Sequence, residues 1–356
     1  MTGRPRIVLE GFAGPGGWST GLRMLDLPEH KSFGVEWDMD ACRTAQAAGH
    51  VRVRADVAAL GLSALTEVWL LIMSAPCQAW SRAGRRQGIR DQEAIFRHAE
   101  RVIAAGEWIP YPDAGPLPAG TGDSGSTWHD QRSTLVLEIL RWAIATQPEN
   151  IALEQVPDVL PFFRLIGRWL TARGYSVASA VLSTERYGVA QTRQRAILVA
   201  YRTHTVTLPE PTHTAYDAAL PGCGRWAGME GDLFGRSLLP WVSMEDCLGW
   251  GFPARPAPTV TGGGTDTGGA EVFGNAGMRH RLALHANRDS VKITVEEAAL
   301  LQSFPPGYPW QGTKSAQHRQ VGDAVPPLLA AHVVAEALGM PSSAAVRAQA
   351  RGREAS

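Results

Sequence analysis

Short apolar runs alternate with segments of helical spacing over residues 7–201, and this alternation restricts the chain to few folds. Seven runs are typical of buried strands: 7–9, 33–35, 51–53, 68–73, 150–153, 177–182 and 196–201. Segments 134–146 and 158–173 have the spacing of amphipathic helices. Such alternation favours an α/β fold in which helices cover both faces of a doubly wound, mostly parallel sheet.

Composition places the chain among globular proteins that can bury a sizeable core. It has 356 residues, of which 44% are hydrophobic, enough for two or three domains. The sequence contains no run of about 18 apolar residues and no apolar leader, so we expect a cytoplasmic protein without membrane contacts. The four cysteines form no Cys-x-x-Cys pair, and we expect no metal. The formal net charge of zero is unusual for a protein that binds nucleic acid, so local charge carries more weight.

The alternation of strands and helices stops near residue 201, where glycine, proline and tryptophan become frequent. We therefore expect a first domain at 1–201 and a smaller, irregular or β domain at 202–312. The tetrapeptide Thr294-Val-Glu-Glu297 is a capping box and predicts a helix of about nine residues. A last helix is expected after Pro326-Pro327, and residues 341–356 are expected to be disordered.

A glycine-rich turn follows the first strand, at Phe12-Ala-Gly-Pro-Gly-Gly17. Glycines at this place let the backbone approach a ligand closely. The spacing of Gly14, Gly16 and Gly17 differs from the Gly-x-Gly-x-x-Gly pattern of dinucleotide-binding turns. An ordinary strand–helix turn would explain these glycines nearly as well, so the turn alone does not establish a cofactor site.

Three side chains after the second and third strands strengthen the case for a cofactor. Glu36 can accept both ribose hydroxyls of a nucleoside, and Trp37 can stack on its adenine. Asp56 can accept a hydrogen bond from the adenine amino group. A helix-capping role for Glu36 and a core position for Trp37 are the alternatives. Together these residues predict a nucleoside cofactor at the carboxyl ends of the parallel strands.

The fourth strand leads into Pro76-Cys77-Gln78, so Cys77 is expected at the same edge of the sheet. A cysteine beside a cofactor is placed for nucleophilic catalysis, although a lone cysteine is more often a buried structural thiol. Four arginines and no acid follow between residues 82 and 90, and they can lower the pKa of the thiol or contact phosphates: Arg82, Arg85, Arg86 and Arg90. A solvated loop is the alternative for this run.

Glu154 ends the fifth strand and should share an edge of the sheet with Cys77. Arg193 and Arg195 lie two residues apart and point the same way if that segment is extended. A thiolate that adds to C6 of cytosine makes C5 nucleophilic. A carboxylic acid at N3 assists this addition, and an arginine at O2 offsets the charge that develops. The target atoms are unreachable inside a duplex, so the base must be extruded.

In their order along the chain, these motifs resemble the bacterial and phage forms of the cytosine-C5 DNA methyltransferase family. The resemblance runs from Phe12 to about Leu338 and includes two further motifs, Leu301-Gln-Ser-Phe-Pro305 and Gln320-Val-Gly-Asp-Ala-Val-Pro-Pro327. It implies the Rossmann-like fold of S-adenosylmethionine-dependent methyltransferases, with S-adenosylmethionine as cofactor and double-stranded DNA as substrate. Segment 202–312 would then recognise the target sequence, and segment 313–340 would return to the first domain.

The resemblance also implies a role for each matching residue. Cys77 would be the nucleophile, and Glu154 would protonate N3. Arg195 would meet the base, and Arg193 would support the loop and the phosphate. The implied cofactor-binding residues are Phe12, Ala13, Gly14, Gly16, Gly17, Glu36, Trp37, Asp56, Pro76, Asp323 and Val325. The expected DNA contacts are Gln78, Ser81, Arg82, Arg85, Arg86 and Gln191. Four arginines of the recognition segment can read guanine or neutralise phosphate: Arg225, Arg236, Arg279 and Arg281.

Three departures from the family pattern bear on function. Gln155 stands where the family usually has asparagine, and Asp323 also replaces an asparagine, adding a carboxyl group near the cofactor's methionine portion. The stretch 91–129 is expected to be an inserted loop, which either adds DNA contacts or bulges into solvent. Its part at 106–125 holds nine glycines and prolines, which are typical of an exposed loop.

Three other functions deserve comparison. An RNA cytosine methyltransferase on the same scaffold is disfavoured because no Cys-Phe-Thr tripeptide is present. A catalytically inactive DNA-binding relative would not need the intact set of Cys77, Glu154 and Arg195. A nicotinamide dehydrogenase would need the missing Gly-x-Gly-x-x-Gly pattern. We expect a monomer, and a cognate restriction endonuclease encoded nearby is a candidate partner.

Overall fold

A computed structural model of the chain describes residues 6–65, 67–76, 87–110, 130–219, 238–249, 252, 254–262, 271–272 and 291–340. The strands are β1 Arg6–Gly11, β2 His30–Glu36, β3 Arg52–Arg54, β4 Val68–Met73, β5 Asn150–Gln155, β6 Ser176–Ser183, β7 Gln191–Thr192, β8 Gln194–Tyr201, β9 Ala257–Pro258, β10 Glu271–Val272 and β11 Val291–Lys292. The α-helices are α1 Gly17–Arg23, α2 Met39–Ala47, α3 Gln87–Ala105, α4 Glu138–Thr146, α5 Leu160–Thr171, α6 Met244–Leu248, α7 Val295–Leu301, α8 Lys314–Asp323 and α9 Pro327–Ala337.

A seven-stranded sheet of order β3-β2-β1-β4-β5-β8-β6 forms the centre of the molecule. Strands β3, β2, β1, β4 and β5 are parallel neighbours, whereas β8 runs antiparallel to both β5 and β6. The order reverses direction around β1 and β4, and ligands of such sheets bind outside the carboxyl ends of the strands at that point. The seven strands and the mostly parallel α/β fold predicted from the sequence are confirmed.

Both faces of the sheet are buried because its strands are apolar on both sides. In β4, Leu71 and Met73 point into one core, which also contains residues of α3, α4 and α5. Leu70 and Ile72 point into the opposite core, against α1 and α9. A central strand covered on both faces shows a continuous apolar run rather than alternation, which is why 68–73 is so easily recognised.

The last helix packs on the first one across the back of the sheet. Gly17 and Gly21 permit this contact: a Cβ on Gly17 would lie 2.2 Å from the carbonyl oxygen of Val325, and one on Gly21 would lie 2.7 Å from the Cβ of Ala330. The predicted helix after Pro326 is therefore confirmed, with Pro327 as its first residue. It brings the C-terminal motif to the glycine turn.

A smaller core lies beside the main sheet. It combines residues of α6 and α7 with apolar residues from the segment around β9, among them Met244, Leu301, Phe304 and Val260. The capping box at Thr294 is confirmed, and the helix that it opens has seven residues. The described strands of this region are short: β7 pairs with β9, and β10 pairs with β11.

The expectation of an inserted loop over 91–129 is wrong in its first part, where α3 continues to Ala105. Ile95, Ala99 and Val102 recur at helical spacing and are fully buried, so the apolar stripe of this helix packs into the main core. Residues 111–129 lie outside the described part of the chain. Among the described residues, none of the helices combines the length and the apolarity needed to cross a membrane.

Candidate active site

A cavity opens at the carboxyl edge of the sheet, where β1, β2, β4 and β5 end. Most of the residues predicted to bind cofactor or substrate line it together: Phe12, Ala13, Gly14, Gly17, Glu36, Trp37, Pro76, Glu154, Arg195, Asp323 and Val325. Other lining residues come from the ends of the same strands and from α8, among them Asp38, Ser74, Gln155 and Arg319. The topology of the sheet thus gathers residues that are far apart in sequence.

The glycine turn exposes its backbone to this cavity. Phe12 has φ 56° and Gly14 has φ 53°, and Gly14 has no atom within 4 Å of the place where a Cβ would stand. Gly16 has φ 112° and begins α1, but it packs behind the turn, where a Cβ would meet Tyr308 and His50. Gly16 therefore shapes the turn but does not line the cavity. Its neighbours Gly14 and Gly17 do line it and are better placed for the predicted cofactor contact.

Glu36 is held by three backbone N–H groups. Gly14 donates to one carboxylate oxygen at 2.8 Å, while Trp37 and Asp38 donate to the other at 2.9 and 2.8 Å. The side chain of Trp37 stands beside it with 68% of its surface exposed. A fixed carboxylate and an accessible aromatic ring on one wall suit a ribose and an adenine, so these residues fit a nucleoside cofactor.

Arg52 fixes the glycine turn from behind, a role that the sequence analysis missed. Its guanidinium donates to the carbonyl oxygens of Ala13 and Gly14, each at 3.3 Å. It also lies 3.7 Å from Glu10 in an ion pair whose side chains are 1% and 0% exposed. Glu10, a charged residue inside the apolar first strand, was the available signal, because buried charges are normally paired.

Tyr308 supports the same turn from the segment before α8. Its hydroxyl donates to the carbonyl oxygen of Pro15 at 2.7 Å, and burial raises its pKa. His50 lies next to Gly16 and contacts the hydroxyl of Thr20 at 3.3 Å. Burial, followed by the charges of nearby arginines, lowers the pKa of His50 to about 3, so this imidazole is neutral at physiological pH.

Glu154 and Arg195 form an ion pair at the other end of the cavity. Arg195 Nε lies 2.8 Å from Glu154 Oε1, and the two side chains are 10% and 8% exposed. Glu154 ends β5, and Arg195 lies near the start of the antiparallel β8, so the two residues meet at the same edge of the sheet. Among the described residues, none donates a hydrogen bond to the second carboxylate oxygen of Glu154.

Gln155, the departure from the family's asparagine, is buried and satisfied by backbone partners. Its amide nitrogen donates to the carbonyl oxygen of Ala75 at 2.5 Å, and its amide oxygen accepts from the N–H of Val156 at 2.5 Å. The longer side chain thereby ties the end of β5 to the peptide just before Pro76. Gln155 thereby helps to position the segment that leads to Cys77.

Two residues predicted to act on substrate have structural contacts instead. Arg193 is buried outside the cavity and donates to the carbonyl oxygens of Val260, Gly322 and Ala324 at 2.9, 2.9 and 3.2 Å. Gln191 has no exposed surface, and its amide group bonds to backbone and side-chain groups of the smaller core. This burial is incompatible with the predicted DNA contact of Gln191.

Asp56 also lies away from the cavity. It is exposed, and its carboxylate accepts from the N–H of Ala58 at 2.9 Å, which closes the turn after β3. The predicted bond from an adenine amino group to Asp56 therefore stays a prediction, and Asp38 is a nearby acid that does line the cavity. The predicted residues Cys77, Gln78, Ser81, Arg82, Arg85 and Arg86 lie outside the described part of the chain.

Asp323, at the end of α8, faces the cavity from the C-terminal motif. Asp323 keeps an exposed surface at the cavity, but the protein around it partly desolvates the carboxyl group, and this desolvation raises its pKa. Arg193, Arg319 and Arg195 lower the pKa, while Glu36 adds to the rise. Within the described residues, no group of three or more His, Cys, Asp or Glu is arranged to hold a metal ion.

The sheet order and the cavity at its carboxyl edge define a methyltransferase fold. A family model for the C-5 cytosine-specific DNA methylase matches residues 7–107, 123–220 and 257–339. The chain therefore belongs to the C-5 cytosine-specific DNA methylase family. The match includes the whole of α3, so the first interruption of the family pattern falls between residues 107 and 123 rather than over 91–129.

Similar proteins span most of the chain. Type II methyltransferase M1.HphI of Haemophilus parahaemolyticus is 25% identical, covering 92% of this chain and 85% of its own length. M.NaeI of Lentzea aerocolonigenes is 26% identical, covering 98% and 77%. Among solved structures, the Dnmt2 methyltransferase of S. pombe superimposes with a TM-score of 0.57 at 17% identity over 94% of this chain and 98% of its own. At that identity the structure supports the fold alone.

Proposed function

We propose that the protein is a DNA cytosine-5-methyltransferase that transfers a methyl group from S-adenosylmethionine to a cytosine of double-stranded DNA. The observation that carries the proposal is the ion pair of Glu154 and Arg195 in the same cavity as the glycine turn. Residues suited to a nucleoside cofactor and a polar pair suited to catalysis thus line one cavity. The Type II methyltransferases that resemble this chain over most of its length support DNA as the substrate.

S-adenosylmethionine, when bound, supplies an electrophilic methyl group. Glu36 accepts hydrogen bonds from its ribose hydroxyls, and Trp37 stacks on its adenine. The backbone of the glycine turn approaches the ligand at Gly14, where no side chain intervenes. Val325 and Asp323 close the cavity from the C-terminal motif. Gly16 and Arg52 act indirectly, by holding the turn in this shape.

Cys77 is the proposed nucleophile, and it adds as a thiolate to C6 of a cytosine that has left the duplex. The electron pair moves toward C5, which then takes up the methyl group. A base removes the proton from C5, the double bond between C5 and C6 re-forms, and the Cys77 thiolate leaves. Cys42 is unsuited to this role, since its thiol is buried and burial raises its pKa to about 11.

Glu154 and Arg195 act on the pyrimidine together. Glu154 offers a carboxyl oxygen to N3, where a hydrogen bond or proton assists the addition at C6. Arg195 keeps this carboxyl in position through its 2.8 Å contact and meets the base at O2. Pro76, the residue before Cys77, lines the same cavity, which supports placing the sulfur beside this pair.

Bisulfite sequencing of DNA from cells that express the protein tests the proposal directly. We expect methylated cytosines in one common sequence context, and we expect them to vanish with Cys77→Ala. Cys247→Ala, which removes a thiol that lines a different cavity, should leave the pattern unchanged. Methylation that persists in Cys77→Ala, or that is found on adenine or only on RNA, would refute the proposed reaction.

A covalent trap tests the attack by Cys77 separately. DNA that carries 5-fluorocytosine at the recognised site should form a complex that survives denaturant, because fluorine cannot leave C5 as the proton does. The complex should require S-adenosylmethionine and should be lost in Cys77→Ala. An active enzyme that forms no such complex would contradict the covalent mechanism.

A further inference from the structure

The backbone around Asp323 is rigidly held. Arg193 donates to the carbonyl oxygens of Gly322 and Ala324, the residues on either side, at 2.9 and 3.2 Å. Gly322 is packed so closely that a Cβ on it would lie 2.0 Å from the nitrogen of Gly262. These contacts fix the backbone, so the direction of the Cα–Cβ bond of Asp323 is fixed as well.

This carboxyl group faces the cavity, and the described residues offer it no hydrogen-bond or ion-pair partner. The other three carboxylates of the cavity wall are engaged: Glu36 accepts three backbone N–H groups, Asp38 accepts from the N–H of Ala41, and Glu154 pairs with Arg195. No hydrogen bond or ion pair joins Asp323 to any residue of the described part of the chain. A charged group held in this way is stabilised when a ligand supplies the opposite charge.

The charge of the cavity wall favours a cation. Among the described residues, four carboxylates and two guanidinium groups line it: Glu36, Asp38, Glu154 and Asp323, with Arg195 and Arg319. S-adenosylmethionine has a sulfonium and an ammonium group against one carboxylate, so it is a net cation. Its product, S-adenosylhomocysteine, has lost the sulfonium charge and is neutral overall. A negative wall therefore discriminates between donor and product.

We propose that Asp323 is the counter-charge for a positively charged group of S-adenosylmethionine and a specificity-determining residue of this site. The proposal rests on the proposed function. The recognised chemistry is a cation, supplied either by the sulfonium or by the ammonium group of the donor. If the sulfonium is the partner, Asp323 also helps the enzyme to release its product, since the product no longer carries that charge.

Acid should weaken this contact. Burial raises the pKa of Asp323, and Glu36 on β2 adds to the rise. Three arginines lower this pKa: Arg193 before β8, Arg319 on α8 and Arg195 in β8. As the pH falls through the raised pKa, Asp323 takes up a proton and its attraction for a cation is lost. The affinity for the donor should fall with it, while a variant with an amide at this position should respond less.

Isothermal titration calorimetry of the full chain can measure this contact without catalysis. Three ligands are compared: S-adenosylmethionine, S-adenosylhomocysteine, which keeps only the ammonium group, and methylthioadenosine, which has neither cation. Asp323→Asn should bind S-adenosylmethionine about three- to tenfold more weakly than the wild type at about pH 8, because a charge-assisted contact is replaced by a neutral one. Glu93→Gln removes one charge from an exposed site on α3 and should bind all three ligands as the wild type does.

The three ligands separate the outcomes. A loss confined to S-adenosylmethionine identifies the sulfonium as the partner, and an equal loss for S-adenosylhomocysteine identifies the ammonium group; both support the proposal. Unchanged or tighter binding of S-adenosylmethionine to Asp323→Asn overturns it, as does an equal loss for methylthioadenosine. A wild-type protein that binds none of the three ligands would instead overturn the proposed function, and this inference with it.

Discussion

The two ends of the cavity are built in different ways. At the end formed by the glycine turn and Glu36, hereafter the glycine end, the positions of the side chains are fixed by backbone groups. At the end formed by Glu154 and Arg195, hereafter the ion-pair end, two side chains fix each other. Backbone support survives most substitutions, whereas a side-chain pair fails when either partner changes.

Under the proposed function, the glycine end binds the cofactor and the ion-pair end takes part in the reaction. The glycine end offers a prearranged surface that needs no rearrangement when a nucleoside arrives. The ion-pair end holds polar groups whose hydrogen bonds can be redirected to a substrate base during the reaction. Variants at the glycine end should therefore change cofactor affinity, and variants at the ion-pair end should change the rate of methyl transfer.

The largest effect is expected from Glu154→Gln at the ion-pair end. The amide cannot deliver a proton to N3, so the single-turnover rate of methyl transfer should fall by about a thousandfold. The affinity for S-adenosylmethionine, measured by calorimetry, should change by less than about threefold, because the glycine end is untouched. A variant that lost affinity and kept its rate would reverse the assignment of the two ends.

Arg52→Met should have the next largest effect, on stability. It leaves Glu10 as a buried carboxylate without its cation and releases the carbonyl oxygens of the glycine turn, so the free energy of unfolding should fall by about 3 kcal/mol. Chemical denaturation measures this loss. Adding Glu10→Gln removes the unpaired charge and should restore part of it. A loss below about 1 kcal/mol in the single variant would show that the pair does not support the turn.

Trp37→Ala should have a smaller and more selective effect. Its ring is largely exposed, so folding should be unaffected, while loss of stacking should weaken S-adenosylmethionine binding about tenfold. The rate at saturating cofactor should stay within about twofold of the wild type. Val53→Ala removes another exposed apolar group, on the edge strand β3, and should change neither quantity. Unaltered affinity in Trp37→Ala would place the adenine elsewhere.

The smallest effect is expected on the stability of ligand-free Asp323→Asn. Burial raises the native pKa of Asp323 above its ordinary value of 3.8, so the unfolded chain loses this proton first as the pH rises. The stability of the wild type therefore falls as the pH rises from 3.8 to the raised pKa of Asp323. The stability of the amide variant does not change in this way. Its melting temperature should exceed that of the wild type by about 2 °C near pH 8, with the difference shrinking toward pH 4. A constant difference over this range would exclude titration of Asp323 as the cause.

The parts of the fold that could be predicted depend on local patterns. The strand 68–73 is apolar on both faces and was predicted with its observed bounds. The capping box at Thr294 needs only four consecutive residues and was also found. Helix α3 was missed although Ile95, Ala99 and Val102 mark its buried stripe, because the stretch 91–129 was interpreted as one insertion together with the glycine- and proline-rich residues 106–125.

Residues of the cavity wall were predicted where they lie at the end of a strand, as Glu36 and Glu154 do. Roles that depend on distant partners could not be predicted in this way. Gln191 was expected to contact DNA from the resemblance to the family, yet its buried amide group bonds to Leu301 and Gln302. Arg52, on β3, bonds to carbonyl oxygens of the glycine turn after β1, and only the folded sheet brings these two segments together.

The contact between Gly17 and Val325 has a consequence for synthesis of the protein. The wall of the cavity combines the glycine turn after β1 with residues 319–325, which lie at the end of α8 and just after it. A nascent chain on the ribosome can pair β1 with β2 early, but it lacks this wall until translation has passed α9. A growing chain therefore has a complete cavity only after residues 319–325 have been made, so a shorter partial product lacks one wall of the cofactor site.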